Sequence, residues 1–248
     1  MEEKFSNKNL ENIFDLIPKD FNVLEAQIDI ETQLEYFELA KKVRKEDSHE
    51  EILEKKDLLF SDETDIDEKK KLLIQIASVE KPEAYRIIEK FHKDKNSPLY
   101  NWATIALQDS KMLLQSEYLD EPQVFISTGL GGKGKFLRYF VVFFSKNNDP
   151  FTKIQRKVVN NELEILTRDK NIEIENIEFL DSYVAITTLL PLSIHLNHLF
   201  EEIIDECNVY GNFLENNCLI TNVKILTEKE INKARGKKTN TLKKDFND

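Results

Sequence analysis

Residues 126–144, "ISTGLGGKGKFLRYFVVFF", mark the change between two kinds of sequence in this chain. Before this stretch, apolar residues recur at the three- and four-residue spacing of amphipathic helices. A β-branched and aromatic run, residues 136–145, begins within this stretch and is typical of a strand. The stretch also holds four of the chain's six glycines. We therefore predict an α+β protein: a helical domain over residues 1–120, an α+β domain over 121–228 and a basic flexible tail over 229–248.

The composition is that of a globular protein. Of the 248 residues, 40% are hydrophobic and 33% are charged, which is a balance typical of soluble domains. The N-terminus is acidic and no run of about 18 apolar residues occurs, so neither a signal peptide nor a membrane span is predicted. We expect a cytoplasmic protein that does not bind membranes.

Charge is distributed unevenly along the chain. Residues 1–120 carry 18 Lys and Arg against 28 Asp and Glu, whereas residues 121–248 carry 17 against 18. The acidic first half would repel a phosphate backbone. Any contact with nucleic acid is therefore expected in the second half.

The first half is predicted to contain short amphipathic helices joined by polar links. In "SPLYNWATIALQDSKMLLQ", Ser97 and Pro98 favour a helix start, and the apolar stripe includes Trp102, Ile105 and Ala106. We expect this stripe to be core rather than binding surface. An ordinary helical bundle would satisfy the same pattern.

Residues 66–117 carry a helix ending in small residues, a "KPEA" turn, a second helix and then "WATIAL". This order resembles a HEAT-like helical repeat. HEAT arrays commonly act as binding surfaces, so the resemblance implies an interaction role for the first half.

The second half is predicted to have the order β-α-β-β-α-β. Asp149 and Pro150 begin a helix after the first strand, "IEIENIEFL" and "YVAITTLL" form a hairpin, and "CLITNVKIL" closes the series. This order resembles the ferredoxin-like, or split βαβ, domain, which implies an antiparallel four-stranded sheet with both helices on one face. Because the first strand is apolar on both sides, we expect Phe140, Val142 and Phe144 to be covered by a second layer. The two candidate covers are the HEAT-like half, which we favour, and a second copy of the chain.

The glycine-rich segment satisfies seven positions of a Walker A loop and fails at the eighth. That position requires Ser or Thr for magnesium, whereas the chain has Phe136, and the segment precedes a strand rather than a helix. ATP or GTP hydrolysis is therefore not predicted. An RRM domain shares the predicted order of elements, but its two motifs lie on separate strands, whereas their look-alikes here are consecutive.

Two interpretations of this segment remain open: a mobile hairpin tip, and a nest of backbone amides flanked by basic side chains that binds an anion or a partner. The second interpretation predicts an anion- or partner-binding site. Its members are Gly129, Gly131, Gly132, Lys133, Gly134, Lys135 and Arg138.

No catalytic or metal site is predicted. His195 and His198 lie near Glu202 in sequence, but their helix has its apolar stripe on the other side, so a solvated polar face explains them. The two cysteines, Cys207 and Cys218, lack the spacing of a zinc site and are expected to be small buried thiols. No cofactor is predicted.

Residues 229–244 carry seven Lys and Arg against one acid, Glu230. The run is expected to be disordered when free and either to improve solubility or to contact an anionic partner. Together these features predict a non-enzymatic adaptor or regulatory protein that binds a protein partner, as a monomer rather than a homodimer. The alternatives are RNA or ribonucleoprotein binding through the glycine-lysine loop and the tail, and an ACT-like small-molecule sensor on fold analogy.

Overall fold

The computed structural model of the chain describes residues 21–43 and 48–244. The chain divides into two compact units after Gly134. We call residues 1–134 the first unit and residues 135–248 the second unit. The sequence pattern predicts this boundary after residue 120, with the glycine-rich segment in the second unit, whereas most of that segment lies in the first.

The first unit contains helices and short strands. They are β1 (Phe21–Val23), α1 (Ile30–Val43), α2 (His49–Glu54) with a 3-10 turn at Lys55–Phe60, α3 (Ile66–Ala77), α4 (Pro82–His92), α5 (Tyr100–Leu119), β2 (Val124–Ile126) and β3 (Gly132–Lys133). Local signals explain the starts of two helices. Asp65 caps α3 by accepting from the amide of Asp67, and Pro82 begins α4.

Helix α5 lies at the centre of the first unit and packs against α1, α3 and α4. Trp102, Ile105 and Ala106 are buried, which confirms the prediction that this stripe is core. The indole N–H of Trp102 donates to the carbonyl of Lys70 at 3.1 Å. Across a long sequence separation, the Tyr36 hydroxyl donates to Asp109 at 2.9 Å.

The packing of the first unit differs from the predicted HEAT-like array. In a repeat array each unit contacts only its neighbours, whereas α1 here packs directly on α5 and the helices contribute to one apolar cluster. The unit is also not purely helical, because β1 pairs with β2 in parallel. Each of these strands is only three residues long, which is too short to give a periodic signal in the sequence.

The second unit alternates strands and helices. They are β4 (Phe136–Ser145), a 3-10 turn at Lys146–Asn148, α6 (Lys153–Lys170), β5 (Glu173–Phe179), β6 (Tyr183–Pro191), α7 (Leu196–Val209), β7 (Leu214–Thr221) and α8 (Glu228–Lys244). Strands β7, β4, β6 and β5 lie side by side in that order, and each pairing is antiparallel. The chain is therefore of the mixed α+β class.

Strand β4 is covered on both faces, although the prediction named the HEAT-like half or a second copy of the chain as the cover. Phe140, Val142 and Phe144 are at most 4% exposed. Successive side chains of a strand point to opposite faces, and this unit supplies a layer on each: Phe143 contacts Phe200 of α7, whereas Phe144 lies under the guanidinium of Arg235 from α8. Helix α8 thus supplies part of the second layer.

Among the described residues, no helix is both long enough and apolar enough to span a bilayer.

Candidate functional site

Residues 128–134, which we call the glycine turn, are fixed to the first unit by backbone geometry. Gly131 has φ +64°, and a Cβ at this position would lie 2.5 Å from the carbonyl oxygen of Glu25 and 2.6 Å from that of Ala26. Glycine is required here for two reasons: the left-handed backbone conformation and the close approach of a second chain segment.

Hydrogen bonds from neighbouring elements hold the glycine turn. The buried side chain of Gln33, on α1, donates from its amide nitrogen to the carbonyls of Ile28 at 2.7 Å and Thr128 at 3.2 Å. At the other end, the amide of Gly134 donates to the carboxylate of Glu25 at 3.1 Å. In an anion-binding nest, the Gly134 amide would donate to the bound anion, whereas here it donates to Glu25. The negative charge of Glu25 also repels an incoming anion.

The structure does not gather the seven predicted site residues into one constellation. Gly129, Gly131 and Gly132 are buried, while Lys133, Gly134 and Lys135 are exposed. The unit boundary falls between Gly134 and Lys135. The predicted site stays a prediction, and Lys133 and Lys135 are the side chains that it presents to solvent.

Arg138 forms a two-point ion pair. Its Nε and Nη2 donate to the carboxylate oxygens of Glu175 on β5, at 2.5 and 2.8 Å. Such a fork-to-fork pair is among the stronger side-chain contacts in proteins. The guanidinium is thus engaged by a carboxylate of the same unit, which makes it less suited to an incoming anion.

The C-terminal basic run forms a helix, which differs from the predicted flexible tail. Thr227 and Glu230 form a reciprocal cap: the amide of Glu230 donates to the Thr227 hydroxyl oxygen at 3.4 Å, and the amide of Thr227 donates to the Glu230 carboxylate at 3.0 Å. This Thr-x-x-Glu pattern is a capping box, which begins a helix. The signal is present in the sequence, although the polar composition of the run favours disorder.

Two side chains of α8 anchor the helix to the sheet. Ile231 is 2% exposed. Arg235 donates to the carbonyl of Ser145 at 2.6 Å and to the Glu215 carboxylate, and its guanidinium lies 4.9 Å from the centre of the Phe144 ring. The anchor explains why a polar, basic segment is helical: its few apolar and aromatic contacts are concentrated on one side.

The exposed side of α8 is basic. Lys229 and Lys233 are exposed and lie four residues apart, which places them on one face of the helix. Glu230, the one acid of the run 229–244, is paired with Lys224; this hydrogen bond, with the contacts from Thr227, lowers the pKa of Glu230 to about 2. The acid is thereby engaged, and Lys229 and Lys233 form a cationic surface.

The other candidate groups form no reactive centre. His195 and His198 are exposed, and Glu202 pairs with Lys170, whose hydrogen bond lowers the pKa of that carboxyl. Burial raises the pKa of the Cys207 thiol to about 12, which makes it a weak nucleophile. Across residues 21–43 and 48–244, no three His, Cys, Asp or Glu side chains are grouped as metal ligands.

Comparison with solved structures finds transposases. The chain is similar to a REP-associated tyrosine transposase bound to a REP hairpin, with 15% identity and a TM-score of 0.32 over 40% of this chain; the match covers 62% of that chain's length. It is also similar to a transposase candidate from Deinococcus radiodurans R1, with 11% identity and a TM-score of 0.34, covering 42% of this chain and 90% of that one. No family model and no curated protein matches the chain.

These neighbours contradict several sequence-based predictions. They are transposases, not HEAT repeats or ferredoxin-like domains, so the predicted resemblance is wrong. Both neighbours are named as transposases and one is bound to a REP hairpin, so the prediction of a non-enzymatic adaptor with a protein partner is corrected.

Proposed function

We propose that the second unit binds nucleic acid through phosphate contacts made by the exposed face of α8. The observation that carries the proposal is the division of this helix into two sides. Ile231 and Arg235 fix one side to the sheet, whereas Lys229 and Lys233 are exposed on the other. A fixed row of lysines is suited to a phosphate backbone, because it keeps cations at the surface without ordering the chain on binding.

The charge balance of the two units favours this location. Residues 135–248 carry 16 Lys and Arg against 17 Asp and Glu, whereas residues 1–134 carry 19 against 29. A polyanion is therefore repelled far less by the second unit. The sequence of α8 also contains Lys237, Lys238, Lys243 and Lys244, so the helix as a whole is strongly cationic.

The contacts are expected to be independent of base sequence. Lysine ammonium groups are point charges that recognise phosphate rather than base edges. The REP hairpin is a ligand of one structural neighbour, and the proposal for this chain rests on α8 alone.

Fluorescence anisotropy of the full chain with labelled DNA and RNA hairpins, at low and raised salt, tests the proposal. We expect binding that weakens steeply with salt. Replacing both Lys229 and Lys233 by Gln should reduce the slope of log K against log salt by about 0.7 to 0.9 for each phosphate that is no longer neutralised.

A matched control is the pair Lys153→Gln and Lys157→Gln. These lysines are also exposed, but they belong to α6, which packs on α7, the helix that covers the opposite face of the sheet. The control pair should bind as the original chain does. Absence of binding at low salt, or equal weakening by both pairs, would overturn the proposal.

Lys133 and Lys135, the exposed lysines of the predicted glycine-lysine site, form a second candidate contact. Their replacement by Gln in the same assay separates the two surfaces. A larger loss of affinity there than at α8 would move the interface to the glycine turn.

A further inference from the structure

A cavity of about 450 Å³ lies in the first unit, between α4, α5 and the segment that follows β1. Its lining residues all belong to the first unit, whereas α8 belongs to the second. Its volume is in the range that holds a small organic ligand. The side chains that give it chemical character are Glu25, Tyr85, His92, Tyr100, Gln108 and Lys111.

The hydrogen bonds around His92 fix which of its ring nitrogens carries the proton. The single hydroxyl proton of Thr104 is donated to the carbonyl of Tyr100 at 2.9 Å. Thr104 can therefore only accept from His92, whose Nε2 lies 2.9 Å from its oxygen. His92 must donate from Nε2, which leaves Nδ1 with a lone pair.

His92 is neutral in this setting. Burial, and next the charge of Lys95, lower the pKa of His92 below its ordinary value. The ring also stacks on Tyr100, with centroids 4.5 Å apart and an interplanar angle of 21°. A neutral imidazole stacked on a phenol is an aromatic wall with a hydrogen-bond acceptor at its edge.

The charges around the cavity balance. Glu25 contributes one carboxylate and Lys111 one ammonium, and His92 adds none. Because the carboxylate also accepts from the amide of Gly134, its position is set. A phosphorylated ligand would meet this carboxylate and the overall acidity of the first unit, which opposes its binding.

We propose that this cavity binds an uncharged nucleoside, with the base against the aromatic wall. A nucleobase is planar, offers both N–H donors and ring acceptors, and matches the stacked rings, the Gln108 amide and the lone pair of His92. Glu25 and Lys111, which also line the cavity, supply a hydrogen-bond acceptor and a donor for the ribose hydroxyls. The proposal is independent of the nucleic-acid surface on α8.

The test uses the full chain, the four common ribonucleosides and adenosine monophosphate, with binding measured by calorimetry. We expect at least one nucleoside to bind, and the nucleotide to bind less tightly than adenosine. Histidine labelled with ¹⁵N gives a second measurement, in which the nucleoside should move the Nδ1 signal of His92. A histidine with a purely structural role would keep its signal unchanged.

Two variants and a control locate the site. Gln108→Ala and His92→Gln should each weaken nucleoside binding by about fivefold or more. Lys93→Gln, an exposed change next to His92 that does not line the cavity, should leave it unchanged. If none of the four nucleosides binds at millimolar concentration, or if Gln108→Ala binds as the original chain does while the His92 signal stays fixed, the proposal is wrong.

Discussion

The glycine turn and helix α8 share a sequence character that predicts mobile segments whose basic residues meet a partner, yet the structure holds them differently. The turn is held by the buried amide of Gln33 and by the carboxylate of Glu25. Helix α8 is held on one side only, by Ile231 and Arg235, and keeps its lysines at 229 and 233 exposed. Glycine and lysine content therefore does not distinguish a binding loop from a structural turn. The hydrogen bonds to the backbone of the turn make that distinction: the Thr128 carbonyl accepts from Gln33 and the Gly134 amide donates to Glu25.

The largest effect is expected at the glycine turn. Gly131 has a positive φ, and Gly131→Ala places a Cβ 2.5 Å from a backbone oxygen. The free energy of unfolding of the first unit should therefore fall by about 3 kcal/mol or more. Trp102 is the chain's single tryptophan and is buried in that unit. Its fluorescence in urea titrations reports the change directly.

Gly134→Ala is the matched control. This residue also has positive φ, at +60°, but nothing lies within 4 Å of the added Cβ. Only the backbone cost remains, about 1 kcal/mol. Equal losses of stability in the two variants would mean that the close approach at Glu25 and Ala26 does not constrain the turn.

The next effect concerns the anchor of α8. Ile231→Ala should cost about 2 kcal/mol or more, because the residue is 2% exposed and a cavity would remain. Amide exchange at β4 and β7 should accelerate. Asn232→Ala, at the exposed neighbouring position of the same helix, is the control and should leave exchange unchanged. If Ile231→Ala changed neither stability nor amide exchange, the result would support the flexible tail that the composition predicts.

Much of the second unit was predictable from sequence because its signals are local. The apolar run of β4 is predicted at residues 136–145, where the structure has it. The last strand is predicted too late: "CLITNVKIL" suggests residues 218–226, whereas β7 is Leu214–Thr221. The strand pairs with β4 from Leu214 onward. Because this pairing sets where β7 begins, the residues of β7 alone do not predict its start.

The glycine turn was not predictable in the same way. Its holders, Glu25 and Gln33, lie about a hundred residues earlier, with sequence separations of 109 and 95. No local pattern connects them to Thr128 or Gly134. Helix α8 is the opposite case, since its cap at residues 227–230 is a local signal of a kind that sequence alone reveals.

A smaller effect is expected when the buried holder of the glycine turn is removed. Gln33→Ala leaves the carbonyls of Ile28 and Thr128 without their side-chain donor. The first unit should lose about 1 to 2 kcal/mol of stability, again measured by Trp102 fluorescence. Gln33→Glu should do no better, because a carboxylate cannot donate to a carbonyl. If the turn amides of Gln33→Ala exchange no faster than those of the original chain, the turn is held by backbone geometry alone.

The smallest expected effect is a difference in acid sensitivity between the start of α8 and the glycine turn. The Lys224 and Thr227 contacts lower the pKa of Glu230 from its ordinary 4.5 to about 2. A carboxyl whose pKa is lower in the folded state stabilises the helix start above the unfolded pKa, and this contribution disappears as pH falls from about 4.5 toward 2. Gln33 does not titrate, so the glycine turn should keep its buried hydrogen bonds over the same range.

Carbon chemical shifts should therefore report fraying of the first turn of α8 in acid, while Ile28 and Thr128, the partners of Gln33, stay unchanged. Glu230→Gln should remove this pH dependence, because an amide has no proton to gain over the range. Equal acid sensitivity in both regions would show that the whole chain unfolds rather than the capped end of α8. In that case the contacts that hold the glycine turn and those that hold α8 would not determine how each region responds to acid.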